Sequence, residues 1–281
     1  MIKILVDSAS DIDLEESQKM GIEFLPIEIM IDGTSYYDGV NLSHPDFFLK
    51  LTQCSDFPRT SQITEFRYAE KFEELTKNGD SLIAICLSSK LSGTYEQAVK
   101  ASKNFKNVYV VDSLNACGGE RILTEYAIRL VQKGLPAEEI VKKLNEDKMK
   151  IKLYAVIDTL KYLKKGGRIS PLVAFAGTML NIKPIISVDG GEIKLVGKAL
   201  GSKKSASLLT DFVKKTKGID FDYPFVIGYS NFTTNAAERY VQDNKELFGD
   251  HLSEVRYRML GSTIGTHIGT GAIAVTFFEK N

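Results

Sequence analysis

Short apolar runs and segments of helical periodicity alternate along the first half of the chain. Ile2–Val6, Ser81–Leu87 and Asn107–Val111 are apolar over the length of a strand, which is typical of strands buried on both faces. Glu120–Lys133 is the clearest amphipathic stretch, because its apolar residues fall on one helix face and Gly134 follows as a stop signal. This alternation predicts an α/β fold with a parallel sheet whose carboxyl ends lie together.

The second half of the chain predicts another α/β unit. Lys183–Val188 and Glu192–Val196 flank an Asp-Gly-Gly turn, which is a strong hairpin signal. An apolar helix is expected over Leu172–Leu180. We therefore expect two α/β domains, residues 1–152 and 153–281, the first with a mainly parallel sheet flanked by helices.

The composition is that of an ordinary globular protein. Of 281 residues, 43% are hydrophobic and 26% are charged, and 36 basic residues balance 36 acidic ones. A chain without net charge has no overall field that attracts nucleic acid or an anionic membrane. No stretch approaches the ~20 apolar residues of a transmembrane helix, and the first residues lack a signal-peptide core. We expect a cytoplasmic protein without an integral membrane segment.

Cysteine and histidine are too few and too scattered for a recognisable metal site. Cys54, Cys86 and Cys117 are odd in number and show no CxxC spacing, which argues against a disulfide framework and a thiolate zinc site. Only three histidines are present, without spaced carboxylates. We therefore expect no metal.

Small hydroxyl residues follow each of the three buried strands. Ser8, Ser88 and Ser113 stand directly at the strand ends, and the second of these loops continues into Ser92-Gly-Thr before a helix. Hydroxyls, open backbone N–H groups and the positive end of a helix dipole favour a small anion. This edge predicts an anion site, with simple helix capping as the alternative.

A second glycine-rich segment, Gly265–Gly271, contains Thr266 and His267. We expect a loop here whose backbone can come close to a ligand, with a purely structural histidine as the alternative.

Conventional catalytic signatures are missing. The chain has no phosphate-binding G-x-x-x-x-G-K-[ST] motif and no G-x-S-x-G elbow. The glycine pattern of Gly269–Ala274 precedes a strand, whereas a dinucleotide fingerprint follows one. Ser92 and His267 with Asp7 or Asp112 could in principle form a nucleophile, base and orienter, which leaves an enzyme open.

Six segments are similar to the motifs of one known family, in the same order along the whole chain. They are Asp7-Ser8, Thr60-Ser61-Gln62, Ser88-Ser-Lys-Leu-Ser-Gly-Thr-Tyr95, Tyr162-Leu-Lys-Lys-Gly-Gly-Arg-Ile-Ser170, Asn181-Ile-Lys-Pro184 and Gly265-Thr-His-Ile-Gly269. Together they resemble the DegV family of bacterial fatty-acid-binding proteins, whose best understood members are binding subunits of fatty acid kinase.

The resemblance implies a two-domain carrier without a cofactor that holds one long-chain fatty acid noncovalently, such as palmitate, stearate or oleate. The carboxylate would lie between the domains, with the His267 loop and the tail pocket in the second domain, and a separate kinase subunit would form the acyl phosphate. The implied ligand-binding residues are Thr60, Ser61, Ser92, Gly93, Thr94, Thr266 and His267. The competing hypothesis is an enzyme that acts on an acyl or small carboxylate substrate with Ser92 as nucleophile.

Arg168 is implied to face the partner kinase or the transferred phosphate. It lies in a polar segment behind two lysines, so we expect its charge to point outward; a cation that complements a helix dipole is the alternative. Two features depart from the family pattern. Thr270 replaces the usual proline after His-x-Gly, and Lys198-Ala-Leu-Gly-Ser-Lys-Lys204 is less basic than the run usually found after the hairpin.

Overall fold

The computed structural model describes residues 1–169 and 181–281. The helix expected over Leu172–Leu180 lies outside the described residues. The strands are β1 (Ile2–Asp7), β2 (Glu23–Leu25), β3 (Glu28–Ile31), β4 (Thr34–Tyr37), β5 (Arg59–Ser61), β6 (Ser81–Cys86), β7 (Val108–Asp112), β8 (Ile151–Val156), β9 (Ile182–Asp189), β10 (Glu192–Leu200), β11 (Val226–Tyr229), β12 (Tyr257–Met259) and β13 (Ile273–Phe278).

The α-helices alternate with these strands, and short 3₁₀ turns complete the described elements. The α-helices are α1 (Leu14–Met20), α2 (His44–Gln53), α3 (Glu65–Thr76), α4 (Thr94–Ser102), α5 (Gly118–Gln132), α6 (Ala137–Asp147), α7 (Lys161–Lys165), α8 (Gly201–Lys214), α9 (Asn235–Asp243) and α10 (Ser262–Ile268). The 3₁₀ turns are Ser8–Ser10, Lys148–Lys150, Lys245–Leu247 and Gly249–Glu254.

The first half is built on the parallel sheet that the sequence predicts. Its strand order is β2-β1-β6-β7, and every neighbouring pair is parallel. Apolar residues on its two faces enter two separate cores, one with α5 and α6 and the other with α3 and α4. Burial on both faces explains why β1 and β6 are continuous apolar runs. The expected α/β class is confirmed.

A mixed six-stranded sheet forms the second half, in the order β10-β9-β8-β13-β11-β12. Side chains alternate along β8, so that Val156 joins a core with α8 and α9 while Leu153 and Ala155 face the first half. Helix α5 contacts β1 of the first sheet and β13 of the second. The boundary between residues 152 and 153 stays a prediction.

The first half also contains a small antiparallel sheet, in the order β4-β3-β5. Its strand β5 was not expected from the sequence, where Arg59–Gln62 is only a polar segment before a helix. Thr60 pairs with Ile29, which is fully buried, so the threonine side chain points inward while Arg59 and Ser61 are exposed.

The expectation of a loop at Gly265–Gly271 is wrong for its first residues, because His267 lies in helix α10. Two features explain the helix. Its first backbone N–H groups, those of Ser262 and Thr263, donate to the buried carboxylate of Asp38 in the first half. Gly265 allows close packing on α2, since a Cβ there would lie 2.5 Å from the Phe47 ring. Gly269, with φ +73°, then ends the helix.

Candidate ligand cavity

An apolar cavity of about 290 Å³ is lined by residues of both halves. Its floor is the inner face of the six-stranded sheet, where the two-residue period of strands brings alternate side chains together. The floor residues are Leu153, Ala155, Ile157, Ile186, Val188, Ile193 and Ala274. The remaining apolar wall consists of Ile27, Leu87, Leu91, Ala116, Cys117, Leu163, Leu260, Ile264 and Ile268. Apart from the general expectation of a tail pocket, the sequence did not identify these residues, because only the fold brings them together.

Besides Thr263, polar residues and one glycine from four segments of the chain line the cavity, and they are called the polar cluster here. The cluster comprises Thr60, Ser61, Gln62, Ser92, Gly93, Arg168 and His267. Five of the seven predicted ligand-binding residues therefore line the cavity. Gln62, which belongs to a family-like motif but was not predicted as a ligand, lies directly on Gly93, where a Cβ would collide with its amide oxygen. The space next to Gly93 that was expected to admit a ligand is filled by this amide.

His267 and Thr60 meet across the two halves of the chain. The Thr60 Oγ1 atom lies 3.1 Å from His267 Nε2. Burial and, to a smaller extent, the positive charge of Arg168 lower the pKa of His267 to about 4, so the imidazole is neutral at pH 7. The other ring nitrogen, Nδ1, is buried without a hydrogen-bond partner in the part of the chain that the structure describes. It lies against Gly166, where a Cβ would collide with it.

Ser92 and Thr94 are linked at the start of α4. Their hydroxyl oxygens lie 2.9 Å apart, and Ser92 Oγ accepts the Thr94 N–H at 3.2 Å. Thr94 is fully buried, does not line the cavity, and accepts the Ile63 N–H. Thr94 therefore supports the loop from behind, while Ser92 accepts the first backbone N–H of the helix and faces the cavity.

Arg168 does not point simply outward, which corrects the expectation. Its Nε donates to the Leu91 carbonyl oxygen at 3.0 Å and its Nη1 donates to the Gly166 carbonyl oxygen at 2.5 Å. The guanidinium is half-buried and lines the cavity, and burial lowers its pKa. Its two carbonyl partners draw the side chain inward. A role toward a partner protein stays a prediction.

A second, polar space of about 380 Å³ lies on the other side of the cluster and is called the outer chamber here. It shares Thr60, Arg168 and His267 with the apolar cavity. Its other lining residues are Asp56, Phe57, Pro58, Arg59, Tyr162, Lys165, Gly166 and Thr266.

The outer chamber carries more positive than negative charge. Arg59, Lys165 and Arg168 line it against the single carboxylate of Asp56, and the Lys165 ammonium lies 5.2 Å from the centre of the Phe57 ring. The predicted ligand residue Thr266 faces this chamber and not the apolar cavity, and its hydroxyl donates to the Ser262 carbonyl oxygen at 2.9 Å. The sequence signal for the chamber was the basic segment before Arg168.

The serines at the strand ends do not form the anion site that the sequence predicted. The three loops do meet at one sheet edge, but Ser8, Ser88 and Ser113 are fully buried and absent from the cavity wall. Ser88 Oγ donates to the Gly191 carbonyl oxygen at 2.8 Å, and Ser113 Oγ donates to the Asn115 carbonyl oxygen at 3.0 Å. These hydroxyls satisfy nearby backbone groups that would otherwise be buried without partners.

The candidate catalytic set of Ser92, His267 and an aspartate is not assembled. His267 contacts Thr60, and neither candidate aspartate accepts a hydrogen bond from the imidazole. Asp7 accepts the N–H groups of Ala9 and Leu87. Asp112 accepts those of Ser89 and Leu114.

Neither a membrane-spanning helix nor a metal-binding cluster occurs in residues 1–169 and 181–281. Within these ranges, no helix is long and apolar enough to cross a membrane. The same residues contain no group of three or more histidine, cysteine, aspartate or glutamate side chains arranged to hold a metal ion.

Two solved structures share this architecture over nearly the whole chain. A DegV family protein from Thermus thermophilus, described for its fatty acid binding, matches with a TM-score of 0.87 and 27% identity over 99% of both chains. DegV from Bacillus subtilis, described as a fatty acid binding protein, matches with a TM-score of 0.82 and 28% identity, again over 99% of both chains.

Sequence comparison gives the same relationship. A DegV domain-containing protein of Caldanaerobacter subterraneus subsp. tengcongensis is 36% identical over 285 residues, which cover 99% of each chain. One from Clostridium perfringens is 33% identical, over 98% of this chain and 96% of the relative. The model of the family described as "Uncharacterised protein, DegV family" matches residues 1–280. The chain belongs to the DegV family.

Proposed function

We propose that this protein binds one long-chain fatty acid noncovalently, with the tail in the apolar cavity and the carboxylate at the polar cluster. The observation that carries the proposal is an apolar cavity with Thr60 and His267, which contact each other, and Arg168 on its wall. The fatty acid binding described for the Thermus thermophilus and Bacillus subtilis relatives supports the same ligand.

The tail supplies most of the affinity in this proposal. A chain of about fifteen methylenes at ~0.8 kcal/mol each gains roughly 12 kcal/mol before the costs of binding. A charge-assisted hydrogen bond to the carboxylate adds only about 1.5–3 kcal/mol. The polar cluster therefore mainly fixes which end of the ligand lies at Thr60 and His267.

A neutral His267 suits this head-group site. When Nε2 carries the ring proton, it donates to Thr60 Oγ1, and the threonine hydroxyl proton is free for a carboxylate oxygen. The positive charge of Arg168 beside the histidine favours the ligand's negative charge. Ser92 offers a second hydroxyl on the cavity wall.

We further propose that a separate kinase reaches the carboxylate from the outer chamber and forms the acyl phosphate. Both spaces are lined by Thr60, Arg168 and His267. A carboxylate bound at these residues would therefore be separated from the chamber only by their side chains. The cations of that chamber suit the negative charge of an approaching phosphoryl donor. The three cysteines are free thiols, which fits a cytoplasmic carrier.

Thermal unfolding of delipidated protein tests the first part. Palmitate or oleate at about 100 times its dissociation constant stabilises the folded state by ~2.7 kcal/mol. No stabilisation by either acid at concentrations that saturate a carrier would refute the proposal. The second part is tested by mixing the loaded protein with its cognate kinase and ATP and measuring acyl phosphate, which a free-standing enzyme would form or hydrolyse without the kinase.

A further inference from the structure

The amino-terminal end of α10 is capped by carboxylates from the other half of the molecule. Asp11 Oδ1 accepts the Gly261 N–H at 2.7 Å. Asp38 accepts the next two backbone N–H groups. Its Oδ1 lies 3.0 Å from the Ser262 nitrogen and its Oδ2 lies 2.9 Å from the Thr263 nitrogen. The Thr263 hydroxyl donates to the same Oδ2 at 2.6 Å. Each of these bonds joins residues from opposite halves of the chain.

This arrangement replaces the local cap that most helices have. A capping side chain usually belongs to the residue just before the helix, but that residue is Gly261, which has none. A Cβ at Gly261 would lie 3.3 Å from His44 Nε2 and 3.4 Å from an oxygen of each aspartate. A larger residue with its own capping group would thus crowd the carboxylates. Asp38 is fully buried, so its polar atoms depend on these hydrogen bonds to avoid being left without partners, and His44 Nε2 lies 3.6 Å from its Oδ1.

Helix α10 carries cavity-lining residues from its first turn to its last. Thr263 and His267 are four residues apart on one helix face, and both line the cavity, as do Ile264 and Ile268. Because α10 has only seven residues, a shift of its first turn also moves its last turn. A displacement of about 1 Å would break the 3.1 Å contact between Thr60 and His267.

We propose that Asp38, assisted by Asp11, is the positioning residue of the head-group site: it sets the register of α10 in which the His267 imidazole meets Thr60. Asp38 does not line the cavity and acts on the ligand only through this helix. The effect on fatty-acid affinity rests on the proposed function, whereas the effect on the imidazole does not.

The test combines nitrogen NMR of the histidine rings with palmitate affinity. The chain has three histidines, so the ring signals of His267 can be assigned by substitution. Asp38→Asn keeps the size of the side chain but leaves one acceptor oxygen for three donors. In ligand-free protein we expect His267 ring signals that move toward those of Thr60→Val, in which the hydroxyl is lost. We expect palmitate affinity on the order of tenfold weaker.

A matched control and a double-mutant cycle separate positioning from general destabilisation. Asp80→Asn also removes a buried carboxylate charge, one that pairs with the Met1 amine and Lys3, away from the cavity. It should leave the His267 signals and the affinity unchanged. The losses from Asp38→Asn and Thr60→Val should not add, because both remove the same contact.

Unchanged His267 signals in Asp38→Asn, or fully additive losses, would overturn the proposal and leave Asp38 as a structural residue. If Asp38→Asn does not fold, Asp11→Asn, which keeps an acceptor for Gly261, must shift the same signals in the same direction by a smaller amount. If wild-type protein binds no palmitate, the proposed function fails, and the ring signals of the ligand-free variants still decide the role of Asp38.

Discussion

The apolar cavity and the outer chamber share Thr60, Arg168 and His267 but differ in everything else that surrounds these side chains. The cavity is walled by aliphatic residues from both halves, whereas the chamber is lined by cations, an acid and two aromatic rings. One side can hold only an apolar chain and the other can receive a charged group. In the proposed function, the cavity provides the affinity and the shared residues expose the head group.

Filling the cavity should have the largest effect on binding. Ala155 lies on the floor and is almost fully buried, so Ala155→Phe places a ring where the tail would lie. Displacing roughly three methylenes at ~0.8 kcal/mol each weakens palmitate affinity by about fiftyfold. The protein stays folded, because the new ring fills existing apolar space. Titration of both proteins with a fluorescent fatty acid measures the change. Ala236→Phe, on the exposed face of α9, is the control that keeps wild-type affinity.

Removing Arg168 should affect the chamber side more than the cavity side. Arg168→Ala loses the anchors to Leu91 and Gly166, so affinity falls a few-fold. Acyl-phosphate formation with the cognate kinase falls further, because a small neutral side chain cannot grip a phosphoryl group through two parallel hydrogen bonds. The two assays are run on the same preparation. Equal losses of affinity and of acyl-phosphate formation would indicate that Arg168 acts only in the ligand cavity.

The fold was largely predictable because its first half depends on local pattern. Because β1 and β6 are buried on both faces, their residues are apolar without interruption, and such runs are visible in the sequence. The helix α10 was not predictable, since its cap is supplied by Asp38, a residue more than two hundred positions away. Glycine content alone suggested a loop there.

The candidate site was predictable in part, for a related physical reason. The segments that contain Thr60, Ser61, Ser92 and His267 do reach one cavity. The serines at the strand ends have the same chemistry in the sequence, but the structure uses them for backbone groups of neighbouring loops. Which hydroxyl is available to a ligand depends on the buried donors and acceptors that the fold brings next to it. These neighbours come from distant parts of the chain and cannot be identified from the sequence.

Removing one head-group hydroxyl should have a modest effect. Ser92→Ala leaves the tail contacts intact and loses at most one charge-assisted hydrogen bond, so we expect an affinity loss of about tenfold, which corresponds to the lower end of that bond's range, about 1.5 kcal/mol. Thr94→Ser retains the hydroxyl behind it and serves as the control. Wild-type affinity and wild-type acyl-phosphate formation in Ser92→Ala would show that the carboxylate lies elsewhere in the cluster.

A separate prediction concerns the pH dependence of stability. Burial lowers the pKa of His267 to about 4 in the folded protein from its ordinary value of 6.5. The unfolded chain therefore binds more protons between these values, and the contribution of His267 to stability is lost as the pH falls from about 6.5 to about 4. Urea unfolding across this range should show a smaller decrease for His267→Gln than for wild type. Asp7 and Asp11, whose pKa values are raised to about 6 and about 8, act in the opposite direction, so only the difference between the two proteins is diagnostic.

Native mass spectrometry of the delipidated protein with palmitate tests the central claim most directly. The account predicts a complex of one protein with one fatty acid that disappears completely under denaturing conditions, and that is absent or strongly reduced for Ala155→Phe. A complex that survives denaturation as an acyl adduct on Ser92, or the absence of any complex with the wild-type chain, would contradict it.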